Sequence, residues 1–576
     1  MKIHFFGASQ TVTGSCYLLE TNDTRVLIDC GMFQGSKVIK ELNYADFPFQ
    51  PQNLNAVILT HAHIDHSGLI PKLIKKGYKG VIYATRETIE LCAVMLPDSG
   101  HIQEMEVMIK NRKAMRANQP LLEPVYTVED ANAVRKHFQA VTYGEKITIS
   151  PSVAFIYVDA GHILGSAHVI VSITENGVIK NIAFSGDIGT ADQPYIEDPE
   201  GIDTACDSDN VRSVKDACVI VMETTYGDRN HPDKSHRLEE MARIINQAYQ
   251  KGGNIIIPAF AIERTQDILY YFNQLQAENM IPVKPIYIDS PLAVAATRIF
   301  EKDTRNFDDE SRTLLERGHN PLNMKNLHFS ESTEDSIRLN AIKGGAVIIS
   351  ASGMADAGRI RHHLKHNLWR SDSTVIFVGY QAEGTLGRLL IDGAEEVVIH
   401  GEKVAVNADI VNLKGFSAHA DQRELLDWLK FAARNAQEII LVHGEARVLQ
   451  TFSALVEEQL DKKPIIPELG ECISFTDNHI ERDKPTKPWL KTIKERMDRT
   501  KEVQMTDYPQ HPVAAGRKIK RSRRVILSEY KNSYARLQKN LTRFITTGKR
   551  NNDYEMMIET FNQIANMLNQ KRKSNE

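Results

Sequence analysis

Short apolar runs alternate with longer amphipathic stretches over most of residues 1–480. The runs are rich in Val and Ile and are bounded by turn residues, which is typical of buried strands. They are "RVLIDCG", "LNAVILTHAH", "GVIYAT", "CVIVMETTYGD", "GNIIIPAF", "PIYIDSP", "GAVIISASG", "TVIFVGYQ" and "QEIILVHGE". The amphipathic stretches predict helices over 235–251, 264–277 and 422–432. Strands and helices in alternation predict an α/β fold in which helices cover the sheets.

Chemically reactive residues stand where several of these predicted strands end. Asp29, a histidine-rich segment at 60–68, Glu223 and His443 each come directly after an apolar run. Loops at the carboxyl edge of an α/β sheet are free to carry polar side chains, and active sites usually form there. We therefore expect a functional site at this edge of the fold.

The pattern changes after Thr476, where we expect the strands to stop. The polar, proline-bearing segment "TDNHIERDKPTKPWL" predicts a linker. Two amphipathic helices are predicted beyond it, because apolar residues recur there at intervals of three and four. These residues are Tyr530, Tyr534, Leu537, Leu541 and Phe544, then Met557, Phe561, Ile564 and Leu568. Their apolar faces are expected to pack on the rest of the protein or on each other, and a contact between two copies is the alternative.

Length and composition narrow the class of protein. A chain of 576 residues is too long for one core, so about two to four domains are expected. No run approaches the roughly 18 apolar residues that cross a bilayer, and the first residues lack the regions of a signal peptide. The six cysteines are scattered without a CxxC pair, which indicates reduced thiols and excludes a cysteine zinc finger. We expect a cytoplasmic protein without a membrane partner.

Charge is distributed unevenly along the chain. Residues 481–576 contain 23 Lys and Arg against 11 Asp and Glu, whereas the rest contains 47 against 63, out of totals of 70 and 74. The C-terminal region is therefore basic and the remainder acidic. The densest basic part is "AAGRKIKRSRR" at 514–524. It is either a solvated charge run or a contact with the phosphate backbone of nucleic acid.

The segment "THAHIDHSG" at 60–68 follows a buried strand and contains three histidines and an aspartate. His61 and His63, two apart in an extended segment, point the same way and can hold one ion through neutral imidazole nitrogens. Asp65 and His66 follow after the chain turns, so they can address a second ion. Imidazole and carboxylate without thiolate suit zinc or a similar divalent ion.

Two ions need further ligands and a bridge, and loops after other predicted strands offer them. "YVDAGHILGSAH" contains His162 and His168, "IAFSGDIG" contains Asp187, and "LVHGEA" contains His443. Spacing alone does not decide between His162 and His168, although His168 fits a strand that faces the second layer. With Asp187 as the bridge, the ligand set is His61, His63 and His162 for one ion, and Asp65, His66 and His443 for the other. Two ions roughly 3.5–4 Å apart can hold a hydroxide between them.

The motifs "THAHIDHSG", "AGHILGSA" and "SGDIG" resemble those of the metallo-β-lactamase superfamily, with Asp29 in "VLIDCG" at that family's early aspartate. The resemblance implies an αββα sandwich. It also implies that Asp29 supports the histidine-rich loop by hydrogen bonding. Without the resemblance, Asp29 would be interpreted as a turn residue.

Further motifs distinguish the branches of that superfamily. "METTYGDR" at 222–229, "GFSAHAD" at 415–421 and "LVHGE" at 441–445 resemble the three extra motifs of the β-CASP branch, which processes nucleic acids. Intermediate stretches match as well, namely "LPDSGHIQEMEV", "IPAFAIERTQDIL", "DSPLA", "SASGMADAGR" and "GYQAEGTLGR". The resemblance covers nearly all of 1–476 and is close to bacterial and archaeal relatives of the cleavage and polyadenylation endonuclease subunit.

The resemblance implies roles for residues beside the ligand set. His419 would be the general acid that protonates the leaving oxygen, and Glu223 would orient it and keep it charged. Ser417, two residues before His419, would contact the scissile phosphate. Asp65 is expected to serve catalysis as well as metal binding. Taken alone, Glu223 and His419 would more often be ordinary polar loop residues.

The last of these motifs bears on the substrate. In this family a histidine there accompanies RNA processing, whereas the DNA-repair branch usually has valine. "HGE" occurs at both His400 and His443. His443 is preferred, because it ends an apolar strand beyond "SAHAD", in the family order. His400 is expected to be a strand residue in the inserted domain or at its return.

The family architecture implies a β-CASP domain inserted into the metallo-β-lactamase domain, with the active site in the cleft between them. Mapped onto this chain, the metallo-β-lactamase parts are 1–228 and 407–478, the β-CASP domain is 229–406, and a basic, mainly helical extension is 479–576. In the insert, Arg264 and Arg388 are candidates for contacts with backbone phosphates, and ordinary ion pairs are the alternative for each.

The leading hypothesis is a ribonuclease that uses two Zn²⁺ ions per chain to hydrolyse single-stranded RNA, with His419 as general acid. Internal cutting is preferred, and 5′-directed exonuclease action is the option within the same family. A non-catalytic RNA-binding or scaffold subunit is the alternative, although inactive homologues lose ligands and this chain has the full set. A small-ester hydrolase is a third option, which would not need Glu223 and His419. A homodimer is a further option.

Overall fold

A computed structural model of the chain describes residues 1–175, 177–199, 217–232, 236–302, 307–316, 320, 322–379, 381, 384–476, 480–485 and 489. The chain divides into two units, Met1–Arg499 and Thr500–Glu576, and no residue of the second unit is among those described. The basic segment 514–524 and the two helices predicted over 530–544 and 557–568 therefore lie outside the described residues.

The strands belong to four sheets. In chain order they are β1 (Lys2–Phe5), β2 (Tyr17–Glu20), β3 (Arg25–Ile28), β4 (Ala56–Ile58), β5 (Val81–Ala84), β6 (Phe138–Ala140), β7 (Ile147–Thr148), β8 (Val153–Asp159), β9 (Ala167–Glu175), β10 (Val178–Phe184), β11 (Val219–Met222), β12 (Ile255–Pro258), β13 (Ile286–Ile288), β14 (Leu327–Phe329), β15 (Val347–Ser350), β16 (Thr374–Val378), β17 (Glu396–Ile399), β18 (Glu402–Ala405), β19 (Asp409–Leu413), β20 (Glu438–Leu441), β21 (Glu471–Phe475) and β22 (Ile480–Asp483).

The α-helices connect these strands. In chain order they are α1 (Lys37–Lys40), α2 (Ile64–Ser67), α3 (Ile70–Lys75), α4 (Arg86–Ala117), α5 (Val128–Ala133), α6 (Arg237–Lys251), α7 (Arg264–Ala277), α8 (Pro291–Lys302), α9 (Asp309–Glu316), α10 (Thr333–Leu339), α11 (Ile360–Asn367), α12 (Leu386–Ile391), α13 (Gln422–Ala432) and α14 (Ala446–Leu460). The helices predicted over 264–277 and 422–432 are confirmed as α7 and α13, and α6 begins two residues later than predicted. Within the described ranges, no helix combines the length and apolarity needed to cross a membrane.

Two of the sheets pack face to face. The first has the order β22-β21-β1-β2-β3-β4-β5-β6, and the second has the order β20-β11-β10-β9-β8-β7. Alternation along β3 shows how the layers form, because Val26 and Ile28 join the core between the sheets while Leu27 packs on helices outside. On the second sheet, Trp428 of α13 and Phe452 of α14 cover the outer face. The result is the αββα sandwich that the sequence predicts.

The third sheet is entirely parallel, in the order β14-β13-β15-β12-β16-β19, and belongs to the inserted α/β region. Its strands read as continuous apolar runs such as "VIIS", because helices cover both faces. The fourth sheet is the hairpin of β17 and β18. The boundary predicted at residue 406 lies before β19, which pairs with β16, so this sheet continues to Leu413.

Strands were expected to stop at Thr476, and this expectation is wrong. β22 pairs antiparallel with β21 at the edge of the first sheet. Its sequence "IERD" is mostly exposed, since an edge strand needs few apolar residues, and the polar composition resembled a linker. The five described cysteines form no disulfide, and Cys206 lies outside the described residues.

Candidate metal centre and neighbouring histidine

The loops after strands of both sandwich sheets carry the candidate ligands. β4 leads to His61 and His63, and the short helix α2 follows at once with Asp65 and His66. Other loops bring the remaining three to the same edge: His162 lies between β8 and β9, Asp187 follows β10, and His443 follows β20. The topology therefore gathers residues that are far apart in sequence.

A first pocket is formed by three histidines and Asp187, whose candidate ligand atoms all lie within 4.8 Å of one another. Nδ1 of His63 lies 3.2 Å from Nε2 of His61 and 3.3 Å from Nε2 of His162. Oδ2 of Asp187 lies 3.6 Å from Nε2 of both His61 and His162. Imidazole and carboxylate atoms therefore converge on one point.

A second pocket lies on the other side of Asp187. Asp65, His66 and His443 offer ligand atoms within the same 4.8 Å limit. Oδ1 of Asp187 lies 3.2 Å from Nε2 of His66, and Nε2 of His443 lies 3.6 Å from Oδ2 of Asp65. Since its two oxygens face different pockets, Asp187 has the position that a bridging carboxylate requires.

Hydrogen bonds fix the orientation of the ligand histidines. His66 donates from Nδ1 to Asp29 Oδ2 at 2.7 Å, and Asp29 also accepts from the backbone and hydroxyl of Thr60 at 2.8 and 2.9 Å. His61 donates from Nδ1 to Thr60 Oγ1 at 3.0 Å, and His162 donates to the carbonyl of Ala418 at 3.2 Å. In His61 and His162, a proton on Nδ1 leaves a lone pair on Nε2, and this lone pair is directed at the first pocket.

His443 is oriented in the same way by a threonine of the "METTYGDR" motif. Its Nδ1 donates to Thr225 Oγ1 at 3.0 Å, and that hydroxyl is 3.3 Å from the carbonyl oxygen of His443. Thr225 was not among the residues singled out from the sequence. The sequence shows that Thr225 places a hydroxyl within a recognised motif. It does not show that this hydroxyl contacts His443, because the contact depends on the pairing of β11 with β20.

The donor set fits a pair of divalent cations. Nδ1 of His63 lies 3.2 and 3.3 Å from Nε2 of His61 and His162, and a bound cation would stabilise this approach of three imidazole nitrogens. Asp187 Oδ1 and His443 Nε2 are buried without a hydrogen-bond partner in the described structure. Buried polar atoms are rarely left in this state, so their convergence indicates a ligand.

The protonation states of the ligands agree with metal binding in the first pocket. Burial lowers the pKa of His61 and His162 well below the ordinary value and that of His63 to about 4, so all three are neutral at pH 7. Burial would also lower the pKa of His66, but Asp187 and Asp29 raise it well above the ordinary value. His66 therefore has to lose a proton before it can bind a cation.

His419 and Glu223 lie beside both pockets. His419 donates from Nδ1 to Glu223 Oε1 at 3.1 Å, and the same nitrogen is 4.0 Å from Asp187 Oδ2. Glu223 is fully buried and accepts from the backbone of Ile188 at 2.6 Å and of Thr225 at 3.2 Å. Burial would lower the pKa of His419, but Glu223, Asp187 and Asp65 raise it to about 9. His419 is therefore a proton donor at neutral pH.

The loop of His419 is joined directly to the metal-site loops. Gly189 and His419 form an isolated bridge, Ala420 donates to the Ile188 carbonyl at 2.8 Å, and Thr190 donates to that of Ala418 at 3.1 Å. His231, which the sequence did not single out, contacts the carbonyl of His419 through Nε2 at 2.9 Å. The proton donor is thereby held at a fixed position relative to the residues that flank Asp187.

The candidate phosphate contacts have different surroundings. Ser417 Oγ accepts from the backbone of His419 at 3.2 Å, close to the proton donor. Arg264 is buried and donates to Asp267 at 2.8 Å, one turn along α7. Arg388 is half exposed and donates to Asp392 at 2.8 and 2.9 Å along α12. Their role in binding a substrate stays a prediction.

The two histidines that competed for ligand positions lie elsewhere. His168 belongs to β9, donates to the carbonyl of Ser185 at 2.5 Å and accepts from Trp428 at 3.2 Å. His400 was expected in a strand, but it occupies the turn of the β17–β18 hairpin with φ of 52°. Its ring stacks on His362 with a centroid distance of 4.4 Å. The rings of His168 and His400 therefore contact other groups and lie outside the two pockets.

Family models match three consecutive parts of the chain. Residues 10–214 match the metallo-beta-lactamase superfamily, residues 265–390 match the Beta-Casp domain, and residues 403–467 match the Zn-dependent metallo-hydrolase RNA specificity domain. These matches follow the order that the sequence motifs predict. The finer boundaries predicted at residues 228 and 406 stay a prediction.

Curated relatives match most of the same region. Ribonuclease TTHA0252 of Thermus thermophilus is 36% identical over 456 residues, which are 79% of this chain and 96% of that protein. Transcription termination factor FttA of Methanocaldococcus jannaschii is 30% identical over 476 residues, 81% of this chain and 70% of that protein. FttA of Thermococcus kodakarensis is 31% identical over 477 residues, 80% of this chain and 69% of that protein.

Proposed function

Because the chain belongs to the β-CASP branch of the metallo-β-lactamase superfamily, we propose that it is a zinc-dependent ribonuclease that hydrolyses single-stranded RNA. The chain is a metal-dependent hydrolase by family, and its 36% identical relative is named a ribonuclease. The match of residues 403–467 to an RNA specificity domain supports RNA as the substrate. Two Zn²⁺ ions per chain are proposed, one for each pocket.

One observation carries the proposal: a protonated histidine stands beside two pockets that share one carboxylate. Nδ1 of His419 is bonded to Glu223 and lies 4.0 Å from Asp187. A hydrolase that merely binds metal does not need a second buried carboxylate that keeps a histidine charged. A phosphodiesterase does, because the departing ribose oxygen is a poor leaving group until it is protonated.

Each residue of the site has its own proposed role in the reaction. Two divalent ions held by the residues of these pockets would supply Lewis acidity and a strong nucleophile at neutral pH. Glu223 fixes the ring of His419 through Nδ1, which directs the proton on Nε2 towards the leaving oxygen. The carboxylate of Glu223, which belongs to neither ligand set, keeps the pKa of His419 high. Asp29 and Thr225 keep two ligand rings in place through their Nδ1 protons.

Substrate contacts are proposed at three residues. Ser417 is the strongest candidate, since its hydroxyl adjoins the backbone of His419. Arg388 could approach a phosphate by exchanging an exposed ion pair with Asp392, which costs little. Arg264 would have to leave a buried pair with Asp267, so we assign it a smaller part in binding.

Internal cutting is the proposed mode, and 5′-directed exonuclease action is the alternative. The experiment that separates them uses end-labelled single-stranded RNAs that carry a 5′-phosphate, a 5′-triphosphate or a 5′-hydroxyl group. Internal cutting gives intermediate product lengths whatever the 5′ end. Trimming from the 5′ end gives short products and depends on the 5′ group.

The control for this experiment is His419→Ala, with zinc content measured on the same samples. We expect two zincs in both proteins and cleavage by the unchanged protein alone. Protein that holds two zincs but leaves all three RNAs intact would overturn the proposal. Protein that holds no zinc and retains RNA without cutting it would favour the non-catalytic scaffold.

The surroundings of the enzyme are also proposed. The described cysteines are not in disulfides, which agrees with action on RNA in the reducing cytoplasm. A role for residues 479–576 in RNA binding is proposed from their basic composition.

A further inference from the structure

An exposed apolar face runs along the second half of the long helix α4. We name it the α4 face; its members are Ile102, Met105, Met108, Ile109 and Met115, with the adjoining Leu121 and Leu122. Of the seventeen large hydrophobic side chains exposed in the described part of the chain, seven lie in this one place. Single exposed apolar residues are ordinary, but a contiguous group of this size marks an interaction surface.

The structure shows why these residues cannot turn inward. Val107 on the opposite side of α4 is buried. The chain after α4 runs back along the helix, where Asn111 exchanges two hydrogen bonds of 2.8 Å with the backbone of Leu122. Further along, Glu104 accepts from the backbone of Val128. The returning chain therefore covers one side of α4, and the α4 face stays open beside it.

The exposed fractions are largest from the middle of the face to its C-terminal end. They reach 50% for Ile109, 61% for Met115 and 59% for Leu121. Methionine side chains adapt their shape to a partner, so a face built from Met and Ile suits an interface between protein surfaces.

The spacing of the α4 face is that of a helix that pairs with another helix. Ile102, Met105, Ile109 and Arg112 follow one another at intervals of three, four and three, as the inner positions of paired helices do. Arg112 lies over Met108, with Nη2 3.7 Å from its sulfur, so its aliphatic stem extends the apolar surface.

Charges beside the face fit a second copy as the partner. Glu106 lies 3.4 Å from Lys110 of its own helix, and such an exposed pair is exchanged at little cost. Glu106 and Lys113 are seven residues apart, so they lie on the same side of the helix, two turns apart. A second α4 in antiparallel orientation sets Glu106 of each copy opposite Lys113 of the other. We propose that the α4 face pairs with the α4 face of a second copy of this chain, about a two-fold axis between these two residues.

RNA fits the face less well. It requires cationic side chains along its path, and the centre of the face is apolar with an acidic residue beside it.

The test is the mass of the full-length protein in solution, measured by sedimentation over a range of concentrations. The chain has a mass of 65.0 kDa, and we expect a species of twice that mass at concentrations of roughly tens of micromolar, because the interface is small. Met105→Glu combined with Ile109→Glu should raise the dissociation constant about a hundredfold or more, since two buried apolar contacts become repulsive charges. A matched control places glutamate at two other exposed positions, Val283 and Ile337, and should change nothing.

Charge reversal tests the antiparallel orientation. Glu106→Lys and Lys113→Glu should each weaken the dimer, and the two changes together in one chain should restore it. Unchanged thermal unfolding shows that each variant is folded. A monomer at every concentration, or a dimer that ignores the changes at Met105 and Ile109, would overturn the proposal. A variant that no longer retains RNA but keeps the mass of the unchanged protein would assign the α4 face to RNA. This result would also overturn the proposal.

Discussion

Two buried aspartates with similar sequence contexts have opposite surroundings. Asp187 follows β10 in the sandwich, and Asp289 follows β13 in the third sheet. Both are surrounded by polar side chains. Asp289 accepts hydrogen bonds of 2.6–2.7 Å from Ser330, Ser336, Arg359 and His363. Around Asp187, in contrast, the histidine nitrogens stand at 3.2–3.6 Å, and Oδ1 has no hydrogen-bond partner in the described structure.

The difference separates a structural network from a binding site. Both carboxylate oxygens of Asp289 accept hydrogen bonds, so they link β13 to the Ser330–Ser336 segment and to α11. The carboxylate therefore has its hydrogen bonds without a bound ligand. Three of the four ligand-histidine contacts with Asp187 are 3.6 Å long, beyond hydrogen-bond distance, and only His66 comes as close as 3.2 Å. A cation between them satisfies all of them at once. Unsatisfied convergence, and not burial of charge as such, identifies the metal centre.

Both carboxylates are ionised, but for different reasons. Burial would raise the pKa of Asp289, and hydrogen bonds from His363, Ser336 and Ser330 lower it to about 2. Burial would likewise raise the pKa of Asp187, but the charges of His443 and His66 hold it well below the ordinary value. The pKa alone would not tell the two sites apart, whereas the distances do.

The largest effect is expected from Asp187→Asn. Loss of the shared carboxylate should lower kcat/KM for RNA by about 10⁴-fold or more, about 5 kcal/mol of transition-state stabilisation, because both metals lose a ligand. Zinc content should fall, while the melting temperature of the zinc-free protein stays within a few degrees. If the variant keeps both zincs and full activity, Asp187 is not a metal ligand and does not differ from Asp289 in this respect.

His443→Ala should have the next largest effect, and His400→Ala is its control. Removing His443 takes one ligand from the second pocket, so we expect one zinc per chain instead of two and a loss of activity of about 10³-fold. His400, with the same neighbouring residues "HGE" but stacked on His362, should keep both zincs and most of the activity. Zinc loss in the His400 variant would contradict the assignment.

His419→Ala should lower kcat by about 10²–10⁴-fold without changing the zinc content, because the residue moves a proton and holds no metal. Activity and bound zinc measured together distinguish this effect from that of His443. If zinc is lost as well, His419 belongs with the ligands and not with the proton donors.

The role of Glu223 is measured by the pH dependence of kcat/KM. His419 is an acid below its raised pKa and loses this function as the pH rises through that value. Glu223→Gln removes the carboxylate that stabilises the charged ring, so the pKa of His419 falls. The alkaline decline in rate should therefore begin at a lower pH, and a decline that does not move would exclude this role.

Asp289→Asn should reverse the pattern expected for Asp187. It leaves Arg359 and His363 without their buried partner, so the free energy of unfolding should fall by about 3–5 kcal/mol. Zinc content should remain at two, and activity per folded molecule should stay within a few-fold. Denaturant unfolding with zinc analysis checks both; loss of zinc without loss of stability would make Asp289 part of the active site.

The smallest effect is expected from Thr225→Val, which removes the hydroxyl that accepts the Nδ1 proton of His443. Zinc affinity of the second pocket should fall about 10- to 100-fold, with little change in kcat at saturating zinc. The neighbouring Thr224 provides a matched control, since its buried hydroxyl has no hydrogen-bond partner in the described structure. Thr224→Val should leave the affinity unchanged. Equal losses in both variants would indicate a general packing effect.

The sequence predicted the fold class well, because apolar periodicity reports directly on layers and strands. The continuous apolar runs became the buried strands of the sandwich and the parallel sheet, and α7 and α13 have the predicted bounds. It failed at β22, whose polar residues "IERD" carry no such periodicity, and at His400, which lies in a turn. Edges and turns depend on neighbours that a single segment does not reveal.

The candidate site, like the fold, was predicted from the sequence only in part. Local order alone gave the pairs His61 with His63 and Asp65 with His66, since residues so close in sequence share one loop. The addition of His162, Asp187 and His443 came from motif order, and the exclusion of His168 needed its bond to Ser185. Thr225 was not foreseen, because its partner is 218 residues away in the chain.

The sequence by itself thus determined which residue types and which layers this protein has. Only the tertiary structure decided which buried carboxylate has an oxygen without a hydrogen-bond partner among the described residues, which histidine pairs with a buried glutamate beside the two pockets and which helix face stays open. The physical reason is that periodicity is a property of neighbouring residues, whereas hydrogen-bond satisfaction depends on every group within about 4 Å. Asp187 and Asp289 each follow an apolar strand in the sequence, and the distances around them assign one to chemistry and the other to stability.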